Sequence, residues 1–167
     1  MSLREPVVAK TLYQLKVGLG DLKAEIRNLF VHAYIENAET VWPKVTLFEN
    51  GEFVLSAAES YPRLQKAISD FERDSGEIVT NVVVSILKPR TAFPMHKDSD
   101  ERGFRYHLNL TGTPTSFGVH FRDGKYEVNS IPRDSYYYKF RGDCLHTYIN
   151  SGAFYRLHLL LRTKAKG

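Results

Sequence analysis

The sequence predicts a mainly β fold with helices towards the N-terminus: a jelly roll, or double-stranded β-helix. Three observations carry this. From about residue 78 the chain becomes a run of short β-branched and aromatic segments separated by Gly, Pro, Asp and Asn. Two tight-turn dipeptides, Asn50-Gly51 and Asp123-Gly124, each stand between such segments. Helical periodicity is placed ahead of that boundary. Many short strands at this spacing bury their apolar faces by closing into a sandwich or barrel, and the jelly roll fits best.

In chain order, Leu22, Ile26, Leu29, Phe30 and Ala33 form one helical stripe over residues 22–33, with Gly20-Asp21 as a plausible N-terminal cap. VTLF-ENG-EFVL (45–55) reads as a hairpin turning at Asn50-Gly51. Residues 62–72 repeat the helical stripe with Leu64, Ala67, Ile68 and Phe71, and Ser60 and Pro62 fit its start. Strands follow at IVTNVVVSIL (78–87), FRYHLNL (104–110), FGVHF (117–121), KYEVN (125–129), YYYKF (136–140), LHTYI (145–149) and FYRLHLLLR (154–162). This predicts one domain over 1–167, with a helical and hairpin support region (1–77) packed on a jelly-roll core (78–163).

Composition narrows the function classes. The 167 residues are 43% hydrophobic and 25% charged, an ordinary globular balance. Apolar runs are too short to span a bilayer, and MSLREPVV lacks a signal-peptide core, so a cytoplasmic protein is expected. Cys144 is the single cysteine, which rules out an intramolecular disulfide. A net charge of +4 suits a solvated surface, and the tail 162–166 reads as a solubilising end.

The chemistry concentrates in His96, Asp98, His146 and Arg156. Two imidazoles and one carboxylate on one face of iron leave coordination positions open, the ligand logic of non-haem Fe(II) oxygenases. Residues i and i+2 of a strand share a face, so His96 and Asp98 can aim at one point. The same rule puts Arg105, His107 and Asn109 opposite Phe104, Tyr106, Leu108 and Leu110. It also sets Arg156 and His158 against Tyr155, Leu157, Leu159 and Leu161. Arginines on converging strand faces suit a carboxylate, whose two oxygens match the guanidinium fork.

Each residue alone has a plainer reading. His-x-Asp is often a surface pair, His146 a turn or core histidine, Arg156 an edge cap or a partner of Asp143, and Arg105 with His107 a solvated face. His32 and His120 read as structural, His158 as ambiguous, and Asp100 and Glu101 as loop charges. Tyr136, Tyr137 and Tyr138 could line a substrate path, but strand alternation puts at least one of them in the core. The joint spacing favours a site.

The stretch SILKPRTAFPMHKDSDERGFRYHLNL, with CLHTYINSGAFYRLHLLL, resembles the aspartyl/asparaginyl β-hydroxylase branch of the Fe(II)/2-oxoglutarate-dependent dioxygenases. Trp42, Gly51 and SYPRLQKAI resemble the family's N-terminal pattern more loosely. The resemblance implies a jelly-roll, cupin-like hydroxylase using Fe(II), 2-oxoglutarate and O2. It implies metal ligation by His96 and His146, and cosubstrate contacts from Ser85, Arg105, His107 and Arg156. Well-known animal members carry a small residue two after the first His. Asp98 departs from them and restores the His-x-Asp…His triad of the wider superfamily. The expected substrate is an amino acid, a peptide side chain or another small metabolite, oxidised with release of succinate and CO2. Two other readings stay open: a cupin-like metal-binding protein without oxygen chemistry, and a nucleic-acid-directed dioxygenase. The short interval between His146 and Arg156 and the lack of a basic, aromatic-interleaved stripe argue against the last. No membrane partner is expected, and the sequence sets no oligomeric state.

Overall fold

Two antiparallel sheets face each other, and a layer of helix covers the outer side of the larger one. The computed structural model describes residues 5–36, 42–54, 59–111 and 116–167. The start of MSLREPVV (residues 1–4) and Leu55 of the expected hairpin lie outside the described residues.

The elements run β1 (Val8–Gln14), a 3-10 turn (Leu19–Leu22), α1 (Lys23–Glu36), β2 (Lys44–Glu49), β3 (Glu52–Phe53) and α2 (Pro62–Ser75). The rest is strand: β4 (Ile78–Leu87), β5 (Thr91–Ala92), β6 (Phe104–Asn109), β7 (Ser116–Arg122), β8 (Lys125–Ser130), β9 (Tyr136–Arg141), β10 (Leu145–Asn150) and β11 (Arg156–Lys164). The large sheet has the order β1-β9-β6-β11-β4-β2-β3, and the small sheet β5-β10-β7-β8.

Local chemistry accounts for the turns. Asn50 and Gly51 both take positive φ (52° and 82°), as do Asp123 and Gly124 (55° and 74°), the backbone that a two-residue hairpin demands. Pro62 opens α2 as expected, but Ser60 does not cap it. Instead the buried Glu25 carboxylate of α1 accepts the Arg63 and Leu64 N–H groups at 3.0 Å each. That satisfies helix-end donors and places a negative charge at the positive end of the helix. Gly20-Asp21 likewise forms a 3-10 turn rather than a side-chain cap. Two short pieces went unforeseen: β1, an edge strand of the large sheet, and the two-residue β5.

Register decides what each face carries, because paired residues across strands share a face. One row across the large sheet is Leu108–Leu159–Val84–Val45, and another is Tyr106–Leu161–Val82–Phe48. Both belong to the main apolar core, together with Leu22, Leu29 and Ala33 on the helical stripe over α1 and Leu64, Ala67, Ile68 and Phe71 of α2. The intervening row is Asn109–His158–Ser85–Lys44, which faces the small sheet. Hence most apolar burial lies between helices and sheet, and the space between the two sheets is lined largely by polar side chains.

The tyrosine run follows the same alternation. Tyr137 is fully buried in the main core against Phe71, while Tyr136 and Tyr138 pack with Ile131 and Phe140 on the opposite face. None of the three lines the principal cleft.

Candidate active site

His96 and His146 meet through backbone pairing before any side chain is considered. His96 forms an isolated antiparallel bridge to His146 of β10, with both N–H···O=C bonds at 2.9 Å. Asp98 is tied down in turn, its N–H donating to the Gly142 carbonyl at 2.8 Å. These constraints gather three side chains from two distant segments. Asp98 Oδ1 lies 3.3 Å from His96 Nε2, and Asp98 Oδ2 lies 3.5 Å from His146 Nε2. One ligand atom from each residue falls within 4.8 Å of the others. Among the described residues this is the group of His, Cys, Asp and Glu side chains with metal-binding geometry.

The imidazoles are set in the tautomer a metal needs. His96 Nδ1 donates to the Pro94 carbonyl at 2.8 Å, and His146 Nδ1 donates to the Cys144 carbonyl at 2.9 Å. Each Nε2 is then the ring nitrogen turned towards Asp98, the outer-sphere arrangement typical of metal-ligating histidines. Burial also holds the His146 imidazole below its ordinary pKa, so it is neutral near pH 7. The two rings tilt across each other with centroids 4.3 Å apart.

Beyond the triad the space between the sheets is crowded with imidazole. His120 pairs directly with His146 across β7 and β10, stacks against its ring, and bonds the Arg141 carbonyl through Nε2 at 2.7 Å. His107 stacks on Phe140 with centroids 4.3 Å apart. His158 Nε2 meets Ser116 Oγ at 2.9 Å. Burial pushes the His120 pKa down to about 4 and holds His107 and His158 well below the usual range. His120, read from the sequence as structural, is placed directly behind His146.

Arg156 sits on the same inward face and is fully buried. Its Nε, Nη1 and Nη2 have no hydrogen-bond partner, and its guanidinium lies 4.6 Å over the Tyr148 ring. Burial pulls its pKa down to about 9. Neither plain reading applies: it caps no edge, and Asp143 pairs with Arg141 instead. An unpaired buried guanidinium is costly and calls for an anion. Ser85 is buried on β4 in register with His158, and its hydroxyl lies within hydrogen-bonding reach of the Tyr148 phenol.

Arg105 lines the cleft beside His96 and is held by carboxylates of the loop before β6. Its Nε and Nη2 bond Asp100 at 2.5 and 3.2 Å, and Nη2 lies 3.5 Å from Asp98 Oδ1. Burial lowers the Arg105 pKa, but the Asp100 and Asp98 carboxylates outweigh it and the net shift is upward. Asp100 is therefore no solvated loop charge, since its side chain is 8% exposed and also binds Arg162 at 2.6 Å. Arg162, read both as the end of the strand 154–162 and as the start of a solubilising tail, lies within β11 and in the wall of the cleft. Sequence reasoning missed this pair because nothing in the spacing ties residue 100 to residue 162.

Of these groups Ser85, His96, Arg105, Tyr148 and Arg162 line a cleft of about 630 Å³, including its mouth, together with Trp42, Phe93, Asn81 and Leu160. Trp42 closes the rim by donating its indole N–H to the Ala92 carbonyl at 3.1 Å and packing edge-on against Phe93.

The family model for aspartyl/asparaginyl β-hydroxylases matches residues 18–165. No curated protein sequence matches the chain. Several solved structures share its fold. A viral collagen prolyl hydroxylase from Paramecium Bursaria Chlorella virus-1, in complex with 2-oxoglutarate, superposes with a TM-score of 0.60 at 13% identity, covering 97% of each chain. A Pseudomonas putida prolyl-4-hydroxylase gives 0.57 at 13% identity over 96% of this chain and 94% of its own. A Trichoplax adhaerens prolyl hydroxylase, bound to a hypoxia inducible factor peptide, gives 0.60 at 12% identity over 94% and 83%.

Proposed function

Because this chain belongs to the aspartyl/asparaginyl β-hydroxylase family of Fe(II)/2-oxoglutarate-dependent dioxygenases, we propose that His96, Asp98 and His146 hold its iron and that Arg156 anchors the cosubstrate. The observation that carries this reading is the Arg156 guanidinium, fully buried between the sheets with three unpartnered nitrogens, in a fold that also gathers a two-histidine, one-carboxylate triad. The donor set fits Fe(II), and the orphaned guanidinium fits the distal carboxylate of 2-oxoglutarate. When bound, the iron is where O2 and 2-oxoglutarate react to oxidise a substrate C–H bond to an alcohol, releasing succinate and CO2.

The chain's own residues do the positioning. The Pro94 and Cys144 carbonyls fix both ring tautomers, so that Nε2 of each histidine is the donor atom. Arg156 offers a planar fork to a carboxylate, its guanidinium carbon 4.6 Å over the Tyr148 ring. Ser85 adds a hydroxyl within reach of the Tyr148 phenol, and His107, neutral and with Nδ1 unpartnered, adds a further polar contact. Burial of Arg156 and His107 between the sheets strengthens their contacts with a bound carboxylate.

The cleft suits a small molecule or a peptide side chain, and the Trp42 and Phe93 wall offers apolar contact at its mouth. A peptide in the related Trichoplax enzyme supports this class of substrate. The test is succinate formation from 2-oxoglutarate when O2 is admitted to anaerobically reconstituted Fe(II) protein. Turnover that disappears in His96→Ala supports the assignment. A protein that neither forms succinate nor binds 2-oxoglutarate would be a cupin-like metal-binding protein instead.

A further inference from the structure

Asp98 has two suitors. Its Oδ1 lies 3.3 Å from His96 Nε2, in the metal-binding group, and 3.5 Å from Arg105 Nη2. A guanidinium beside a carboxylate prefers a two-point pair, and such a pair would draw Asp98 away from a metal. In the structure that pair is made with another residue. Arg105 Nε and Nη2 are both donated to Asp100, at 2.5 and 3.2 Å, leaving one long contact to Asp98.

Asp100 is built to stay there. Its backbone carbonyl accepts the Gly103 N–H at 3.0 Å in a turn where Gly103 has φ 70°. Its Oδ1 also accepts from Arg162 Nη2 at 2.6 Å, which ties the loop to β11. The Asp100 side chain is 8% exposed, so solvent screens the pairing little.

We propose that Asp100 is a positioning residue of the metal centre: by occupying the Arg105 guanidinium, it keeps the Asp98 carboxylate available to the metal. This rests on the assignment of Asp98 as a ligand. It also gives Arg105 a role the family pattern does not supply, as a group whose charge must be held in check because this chain carries an acid at position 98.

Mn(II) binding, measured by calorimetry without 2-oxoglutarate, separates the possibilities. Asp100→Ala weakens Mn(II) binding about tenfold, the scale of outer-sphere lesions at metal sites. Arg105→Gln stays within about threefold of wild type, and the double variant Asp100→Ala/Arg105→Gln recovers to that level. Recovery on adding a second lesion cannot arise from general damage to the fold. Wild-type Mn(II) affinity in Asp100→Ala would overturn the proposal, as would a double variant as weak as Asp100→Ala. Mn(II) binding unaffected by Asp98→Ala would instead remove the ligand assignment, and this role of Asp100 with it.

Discussion

Asp98 reaches the two histidines because residue 142 has no side chain. A Cβ built on Gly142 runs into the Asp98 carboxylate, although the backbone there is not in the left-handed region that favours glycine. Gly142→Ala is therefore expected to fold normally and to lose metal affinity by about ten- to a hundredfold. Circular dichroism and Mn(II) titration check both halves of that statement. Single residues were also where the sequence was most informative about chemistry. His96, Asp98, His146 and Arg156 were legible because His-x-Asp, a distant His and a following Arg have few joint explanations. Asp100 and Gly142 were not, because their parts depend on which side chain stands within 4 Å, and chain spacing does not encode that. Arg105 was placed on the correct face by alternation, while its actual partners came from a loop whose path alternation says nothing about.

At the level of elements, strand alternation predicted faces well and boundaries less well. The inward set Arg105, His107 and Asn109 on β6 and the pair Arg156 and His158 on β11 come out as the period of two requires. The helices at 22–33 and 62–72 extend to Glu36 and Ser75, the second ending at Gly76 with φ 69°. β1 was invisible because three of its seven residues are exposed and none is fully buried, and its pairing with β9 spans more than a hundred residues of sequence. β7 carries a close approach that no pattern announces: a Cβ on Gly118 would meet Phe140 Cε2 at 2.5 Å. Phe140 packs on His107, His120 and His146, so the strain would enter the site. Gly118→Ala is expected to cost about 1–3 kcal/mol of stability. Thermal unfolding reads this as a Tm lower by about 2–4 °C per kcal/mol.

For the whole molecule, the placement of apolar and polar surface sets the behaviour. Helices and large sheet supply the stabilising core, and the space between the sheets is left to histidines and an arginine, where function outweighs packing. No helix among the described residues is long and apolar enough to cross a membrane. Stability should respond to acid in a specific window. His107, His120, His146 and His158 are all held below the ordinary imidazole pKa of 6.5, with His120 near 4. Below pH 6.5 the unfolded chain takes up protons that the folded chain refuses, so stability falls as pH drops from 6.5 towards 4. Metal-free protein is expected to lose about 5 °C or more in Tm between pH 7 and pH 5. A flat profile there would show that these imidazoles are not buried as described. The lowered carboxyl groups Asp70, Asp74, Asp134 and Asp143 act in a more acidic range, below their ordinary 3.8.

Whether a metal on His96, Asp98 and His146 works with a carboxylate anchor at Arg156 is decided by sequential calorimetry with Mn(II) and then 2-oxoglutarate. His146→Ala is expected to abolish Mn(II) binding. Arg156→Met is expected to bind Mn(II) normally, to weaken 2-oxoglutarate about a hundredfold, and to leave the ligand-free protein at least as stable, since an uncompensated buried charge has been removed. Unchanged 2-oxoglutarate affinity in Arg156→Met, or Mn(II) binding that survives His146→Ala, would show that these residues do not form such a site.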